Sequence, residues 1–256
     1  MKALITGATS GIGKEIAINL SKKGIDLVLA SRNLQKMNDI KNELSKYVNV
    51  DIFEVDLSIA GSAAKLYRDV SDAGHIIDIL VNNAGFGLFG RIDEFDYNLL
   101  EEMLVLNSVS LTTLCRLFAK DMIDRQNGFI LNVSSTAAFQ PIPFFGAYSA
   151  SKSYVLNFSK ALHHELKHYG VVVTSLHPGP TDTNFFEVAL SGKRFPAFKG
   201  KPMMTAAEVA ETGINAMFER RSVVIAGVTN IIFRRILPTI PLSIVEWFLR
   251  NVKAKI

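Results

Sequence analysis

The chain has 256 residues, 48% of them hydrophobic, enough for one large core or two small ones. Its one cysteine, Cys115, excludes an intrachain disulfide and sits in the apolar helical stretch 111–119, where it reads as a core residue. The net charge of +4 comes from 28 basic and 24 acidic residues, and no basic stripe runs through the motif-bearing segments, which argues against nucleic acid as a partner.

In chain order, the first expected strand is 2–6, where Ala3, Leu4 and Ile5 are apolar in a row. It runs into Thr6-Gly7-Ala8-Thr9-Ser10-Gly11-Ile12-Gly13, and a helical pattern follows with Ile12, Ile16, Ala17 and Leu20 on one face. Strand, glycine-rich turn and helix form the context of a phosphate cradle. Glycines permit positive φ and close backbone approach, and a helix N-terminus offers free N–H groups. The spacing is G-x-x-x-G-x-G rather than G-x-G-x-x-G. Gly7, Thr9, Ser10, Gly11, Ile12 and Gly13 are the candidate pyrophosphate contacts.

The second strand is expected at 25–30, followed by Ser31 and Arg32. In a dinucleotide fold this position meets the adenosine ribose, where an acid selects NAD and an arginine accommodates the 2′-phosphate of NADP. No acid stands here, so NADP(H) is favoured and NAD(H) stays open. Further strands are expected at 49–54, 77–82, 128–134, 171–177 and 222–226, with helical segments at 33–46, 62–73, 98–126 and 148–169. The strands are short and rich in Val, Ile and Leu, as strands buried on both faces are. This alternation implies an α/β class: a single Rossmann-type domain, doubly wound, its parallel sheet of about seven strands covered by helices on both faces. Ligands bind such sheets beyond the carboxyl ends of the strands, so Gly7, Asn82, Ser135 and Pro178 are expected to gather at one edge.

Tyr148 and Lys152 stand four residues apart in Gly146-Ala147-Tyr148-Ser149-Ala150-Ser151-Lys152 and share a helix face. A nearby ammonium favours the phenolate and makes a tyrosine a usable acid or base. With these motifs in order, the chain resembles the short-chain dehydrogenase/reductase family along nearly its whole length. Residues 6–13 are similar to that family's glycine motif, and Asp56-Leu57 to the acid and its neighbour at the adenine. Asn82-Asn83-Ala84-Gly85 is similar to the stretch lying along the cofactor, with Asn83, Ala84 and Gly85 as contacts. Pro178-Gly179-Pro180-Thr181-Asp182-Thr183 resembles the segment holding the nicotinamide carboxamide, through Pro178, Gly179, Thr181 and Thr183.

The resemblance implies a catalytic set of Asn107, Ser135, Tyr148 and Lys152. Ser135 is preferred to Ser134 because it lies thirteen residues before Tyr148. Tyr148 would be the acid/base and Lys152 would lower its pKa and hold the nicotinamide ribose. Ser135 would polarise the carbonyl, and Asn107 would hold a water linking Lys152 to solvent. The implied activity is that of an NAD(P)(H)-dependent oxidoreductase interconverting a carbonyl and a secondary alcohol. A regulator or scaffold that binds NADP(H) without turnover is the competing reading, and it would be favoured by a missing Ser, Tyr or Lys. None is missing. A homodimer or homotetramer through helices 98–126 and 148–169 is implied by the resemblance alone.

His164-Glu165-Leu166-Lys167-His168 matches the H-E-x-x-H zinc signature. The Glu-Leu pair before Gly170-Val171 is also a feature of the resembled family, so no metal site is expected here. Aromatic residues cluster at 86–89 and 139–145 and at Phe185, Phe186, Phe195 and Phe198, which points to an apolar or lipid-like substrate. Lys193, Arg194, Lys199 and Lys201 near this last group would suit an acidic head group or simply a soluble loop. Residues 1–228 are taken as the catalytic domain and 229–256 as an extension. This extension alone carries a net +4, from Arg234, Arg235, Arg250, Lys253 and Lys255 against Glu246, among many apolar residues and Trp247. Packing on the core or a partner, or peripheral contact with an anionic membrane, would each suit it. No charged leader precedes the first strand and no run of ~18 apolar residues suggests a membrane span, so a cytoplasmic setting is expected.

Overall fold

The computed structural model describes residues 1–190, 203–236 and 239–253. Seven strands form one parallel sheet: β1 (Lys2–Thr6), β2 (Asp26–Ser31), β3 (Val50–Glu54), β4 (Ile79–Asn82), β5 (Gly128–Val133), β6 (Val171–His177) and, after two short strands, β9 (Val223–Ile225). The short pair, β7 (Thr181–Asp182) and β8 (Met204–Thr205), forms a separate parallel ladder. The large sheet runs β3-β2-β1-β4-β5-β6-β9, so the strand order reverses between β1 and β4. Such a reversal opens a crevice at the carboxyl ends of the strands. The register lines those ends up: Ile5 pairs with Leu29 and with Val81, Val81 with Leu131, and Val133 with Leu176. Every residue of β4 and β6 is buried, which accounts for their unbroken apolar character.

Helices cover both faces. On one lie α1 (Gly11–Lys22), α2 (Leu34–Leu44) and α8 (Ala206–Phe218), and their core joins Ile16, Leu20, Met37 and Ile214 to Ile5 and Leu29 of the sheet. On the other lie α3 (Ser62–Asp72), α5 (Leu111–Asp124) and α6 (Gly146–Leu166), packing Leu66, Phe118 and Val155 on Leu4, Leu80 and Ile130. Cys115 is fully buried in this second core, as its apolar setting implied. Burial pushes its thiol up to about 12, against small opposing effects of Asn132 and Asn82, so it is an inert core group.

The expected helix 98–126 is observed as α4 (Tyr97–Leu104), a π-helical turn (Val105–Ser110) and α5 in unbroken sequence. The widened turn carries Asn107 inward, buried. π-Turns inside α-helices often mark functional positions. This 28-residue helix is long and apolar enough to cross a membrane by composition, but Met103, Leu114, Phe118 and Met122 on one side are core residues. The motif-poor helix α8 was not anticipated. Its start is nevertheless written in the sequence: Thr205 accepts from the Glu208 backbone N–H while the Glu208 carboxylate accepts from the Thr205 backbone, a reciprocal cap. Helix α7 (Phe185–Ala189) lines the cavity, and the described chain closes with α9 (Val228–Ile236) and α10 (Leu242–Lys253), which line it too.

Candidate active site

One cavity of about 1050 Å³ lies along the carboxyl edge of the sheet. It is lined by the candidate contacts Gly7, Thr9, Ser10, Gly11, Ile12, Ser31, Arg32, Asp56, Leu57, Asn83, Ala84 and Gly85. Ser135, Tyr148, Lys152, Pro178, Gly179, Thr181 and Thr183 line the same space. Two of the expected residues, Gly13 and Asn107, stand one layer behind its wall.

The glycine turn has the geometry a pyrophosphate needs. Gly7 has φ of +65°, and a Cβ there would come within 2.9 Å of the Ala84 Cα. Only glycine suits such a position. Ser10 precedes α1 in an extended conformation and makes no side-chain cap, so the first-turn N–H groups are left for another acceptor. Asn83 braces the turn from the β4 end: its Nδ2 donates to Thr6 O and Gly7 O, each at 3.0 Å. Asn82 points the other way, into the core, where its Nδ2 donates to Asn132 Oδ1 at 2.9 Å.

At the adenosine end, Thr9 Oγ1 and Ser31 Oγ lie 3.3 Å apart. The exposed Arg32 guanidinium stands 3.6 Å from Asp56 Oδ2. Partial burial works to raise the Asp56 carboxyl. Hydrogen bonds from Ser58 and the charge of Arg32 outweigh that and hold it below the usual carboxylate range. These residues fit a dinucleotide: a backbone cradle that a side chain would fill, a helix N-terminus without a cap, and a cation beside the expected ribose position.

The reacting end is built on α6. Tyr148 and Lys152, one turn apart, are each 5% exposed. The Tyr148 ring stacks on Phe145 with centroids 4.3 Å apart and meets Phe185 at 5.3 Å. This aromatic enclosure pushes the phenol up from its ordinary value, partly offset by the nearby Ser135 side chain. The Ser135 and Tyr148 side chains both line the cavity, with Ser135 near enough to act on the phenol. Ser135 Oγ also accepts from the Ala137 N–H at 3.1 Å. Ser134 Oγ instead donates to the Lys152 carbonyl at 2.9 Å, so the neighbouring serine is spent on holding α6.

Lys152 donates through Nζ to the Val133 carbonyl at 3.1 Å, and Nζ lies 5.7 Å from the Tyr148 ring centre. Burial lowers its pKa to about 8. Desolvation thus sets both directions, raising the phenol and lowering the amine. The net shift of the phenol is upward, the reverse of the depression by Lys152 that the resemblance implies. Asn107 holds the wall behind them. Its Oδ1 accepts from the Phe86 N–H at 3.2 Å, and its Nδ2 donates to Phe86 O at 2.9 Å and Ser151 Oγ at 3.2 Å. A Cβ on Gly85 would sit 2.8 Å from Asn107 Oδ1 and 3.3 Å from Lys152 Nζ, so the bare backbone there lets both groups approach.

His177 carries no motif in the sequence, yet it borders the site. It is fully buried at the end of β6, with Nδ1 3.0 Å from the Ser135 carbonyl and Nε2 2.8 Å from Ser175 Oγ. It therefore fixes the backbone that carries Ser135. Burial lowers its pKa to about 4, against the opposing effect of the Ser135 carbonyl. The signal available was a polar residue ending an apolar strand one step before Pro178. His164, Glu165 and His168 are exposed on α6 and the turn after it, away from the cavity lining. Among the described residues no group of three or more His, Cys, Asp or Glu is placed to hold a metal ion.

Aromatic and aliphatic side chains surround the reacting end: Phe86, Phe89, Ile142, Phe185, Phe233 and Phe248 line it. The last two come from α9 and α10. Phe195, Phe198, Lys193, Arg194, Lys199, Lys201 and Lys255 lie outside the described residues.

The model of the short chain dehydrogenase family matches residues 1–193. The chain belongs to that family. It is 36% identical over 183 residues to a very-long-chain 3-oxoacyl-CoA reductase of Mus musculus, covering 69% of this chain and 58% of that relative. The chain thus spans little more than half the length of that relative. Among solved structures, a short-chain dehydrogenase of Sphingobium yanoikuyae in complex with NADPH is similar at a TM-score of 0.81, with 27% identity over 89% of this chain and 88% of that one. A bulky-bulky ketone specific alcohol dehydrogenase of Comamonas testosteroni is similar at a TM-score of 0.78, with 26% identity over 89% and 86% of the two chains.

Proposed function

We propose that this short-chain dehydrogenase reduces an apolar ketone with NADPH, by proton donation from Tyr148. The observation that carries this reading is that Ser135, Tyr148 and Lys152 line the same cavity as the dinucleotide cradle, beside aromatic side chains. Bound there, the nicotinamide would supply the hydride. The residues do the rest. Ser135 and Tyr148 hydrogen-bond the carbonyl oxygen and stabilise the charge that develops on it. A phenol held above its ordinary pKa stays protonated at neutral pH, the form needed to donate to that oxygen. Lys152, charged below about 8, provides the positive field beside it and would hold the nicotinamide ribose. Asn107 keeps the Phe86 backbone and α6 in place and lies next to the lysine as the route for proton replacement.

Ser31, Arg32 and the lack of an acid beside them support NADP(H) over NAD(H), as does the NADPH bound by the Sphingobium relative. The aromatic wall, the bulky ketones of the Comamonas enzyme and the long acyl chains of the mouse relative support a large apolar substrate. Residues 1–228 would form the catalytic unit and 229–256 an extension over its mouth. Leu104, Val109 and Tyr154, exposed on α4 to α6, suit a homodimer or homotetramer. The lone buried thiol suits the reducing cytoplasm, with the extension touching a membrane from that side. Oxidation of NADPH with a panel of bulky apolar ketones tests the reading. Turnover with NADPH exceeding that with NADH is expected; binding of NADPH with no turnover of any ketone would instead indicate a regulator.

A further inference from the structure

Helix α9 is amphipathic with its faces reversed. Val228, Ile231, Ile232 and Ile236 fall at i, i+3, i+4 and i+8, one stripe of the helix, and all four are exposed, Val228 at 73%. Thr229, Asn230 and Arg234 line the cavity instead. Asn230 packs against Gly179 and donates to Ala226 O at 2.7 Å, and the Arg234 guanidinium lies 4.6 Å over the Phe139 ring. Helix α10 continues the surface. Leu249 and Val252 are buried, while Ile244, Trp247 and Phe248 at i, i+3 and i+4 face solvent, Trp247 at 68%. Lys253 ties this helix to the protein through Glu94. Apolar patches of this kind on a monomer mark an interaction site.

We propose that α9 and α10 are a docking face for an anionic bilayer, through which an apolar substrate passes from lipid into the cavity. Three observations select lipid over a protein partner. Arg235 lies within the exposed apolar stripe of α9, and residues 229–256 carry five cations against one acid. This matches an interfacial helix, apolar on one side and cationic at its edge. Trp247 projects from the exposed face of α10, as an amphipathic ring does where it meets headgroups. Phe233 and Phe248 are half exposed and also line the cavity, so the patch is continuous with the mouth. A rigid protein partner on this face would close the mouth; a bilayer would feed it.

The docking rests on the surface itself; only the passage of substrate rests on the reductase reading. Trp247 is the sole tryptophan, so intrinsic emission reports this face alone. The full chain is titrated with vesicles of phosphatidylcholine, and with vesicles of equal parts phosphatidylcholine and phosphatidylglycerol. A blue shift and co-flotation are expected with the anionic vesicles and should weaken in high salt. Arg235→Gln should weaken binding about five-fold. The pair Ile232→Ser and Ile236→Ser should abolish flotation while leaving reduction of a small water-soluble ketone at the parent level. Absence of both shift and flotation with anionic vesicles overturns the docking, even where soluble ketones are still reduced. A dimer that shields Trp247 without lipid, and that Trp247→Ser dissolves, also overturns it by assigning the face to a second copy. Vesicle binding without ketone turnover upholds the docking and removes the reductase reading instead.

Discussion

At the floor of the cavity, polar groups are buried and paired. Lys152 bonds Val133 O, Asn107 bonds Phe86 and Ser151, and His177 bonds Ser135 and Ser175. At the rim the pattern inverts, with isoleucines, Trp247 and Phe248 in solvent and Asn230 and Arg234 turned inward. Buried polar groups are costly unless partnered, so each floor residue has narrow tolerance. Exposed apolar groups contribute little to folding, so the rim can change without unfolding the protein. The floor is thus specified by chemistry and the rim by what it meets.

Substitutions should separate the two regions. The largest loss is expected at the floor. Ser135→Ala should lower the rate of ketone reduction by about 10²–10³-fold, since one donor to the developing oxyanion is removed. NADPH affinity should hardly change. A KM effect without a kcat effect would place Ser135 outside the reaction.

Next in size is the adenosine end. Arg32→Ala should weaken NADPH by roughly 10–100-fold, the worth of a charge-assisted hydrogen bond, and leave NADH unchanged. Equal losses for both nucleotides would remove Arg32 from phosphate recognition.

The pH dependence is a finer probe. Lys152 is charged below about 8 and neutral above it, so reduction should decline as pH rises through about 8. Lys152→Arg, whatever its absolute rate, should lose that alkaline limb, because arginine does not titrate there. For His177 the folded pKa is lowered from 6.5 to about 4. Between these values the unfolded chain takes up a proton that the folded chain refuses. Stability is therefore intact above about 6.5 and falls as pH drops toward about 4, at up to about 1.4 kcal/mol per pH unit. Denaturant titrations of His177→Asn across this range should show a shallower fall, since asparagine keeps a donor for the Ser135 carbonyl and cannot be protonated. The smallest effect is expected at the rim, where Ile232→Ser should shift the thermal midpoint by no more than a degree or so.

The floor was far more legible in sequence than the rim. The strands are legible because fully buried parallel strands read as unbroken runs such as Val171-Val172-Val173. The glycine turn, Asn83, Ser135, Tyr148 and Lys152 follow strands or open helices, so topology alone brought them to one edge. Strand ends shifted by a residue or two: the expected 77–82 is observed as Ile79–Asn82, because pairing with β5 begins there. Besides α8, three features escape a sequence reading. The side-chain direction of Asn82 depends on pleat, and two adjacent asparagines look alike in sequence. The role of His177 depends on a carbonyl forty-two residues earlier in the chain. The reversed amphipathicity of α9 cannot be read from periodicity, which gives the stripe but not which side faces the protein.

The most direct test compares Tyr148→Phe with the parent in one NADPH-oxidation assay on a bulky apolar ketone, with NADPH binding measured on the same samples. The phenylalanine ring keeps the packing on Phe145 and Phe185 and loses only the proton donor. Binding should stay within a few-fold while turnover falls by about 10²–10⁴-fold. Equal turnover by the two proteins would contradict proton donation by Tyr148, and a parent that leaves NADPH unoxidised with every ketone would contradict the reductase reading itself.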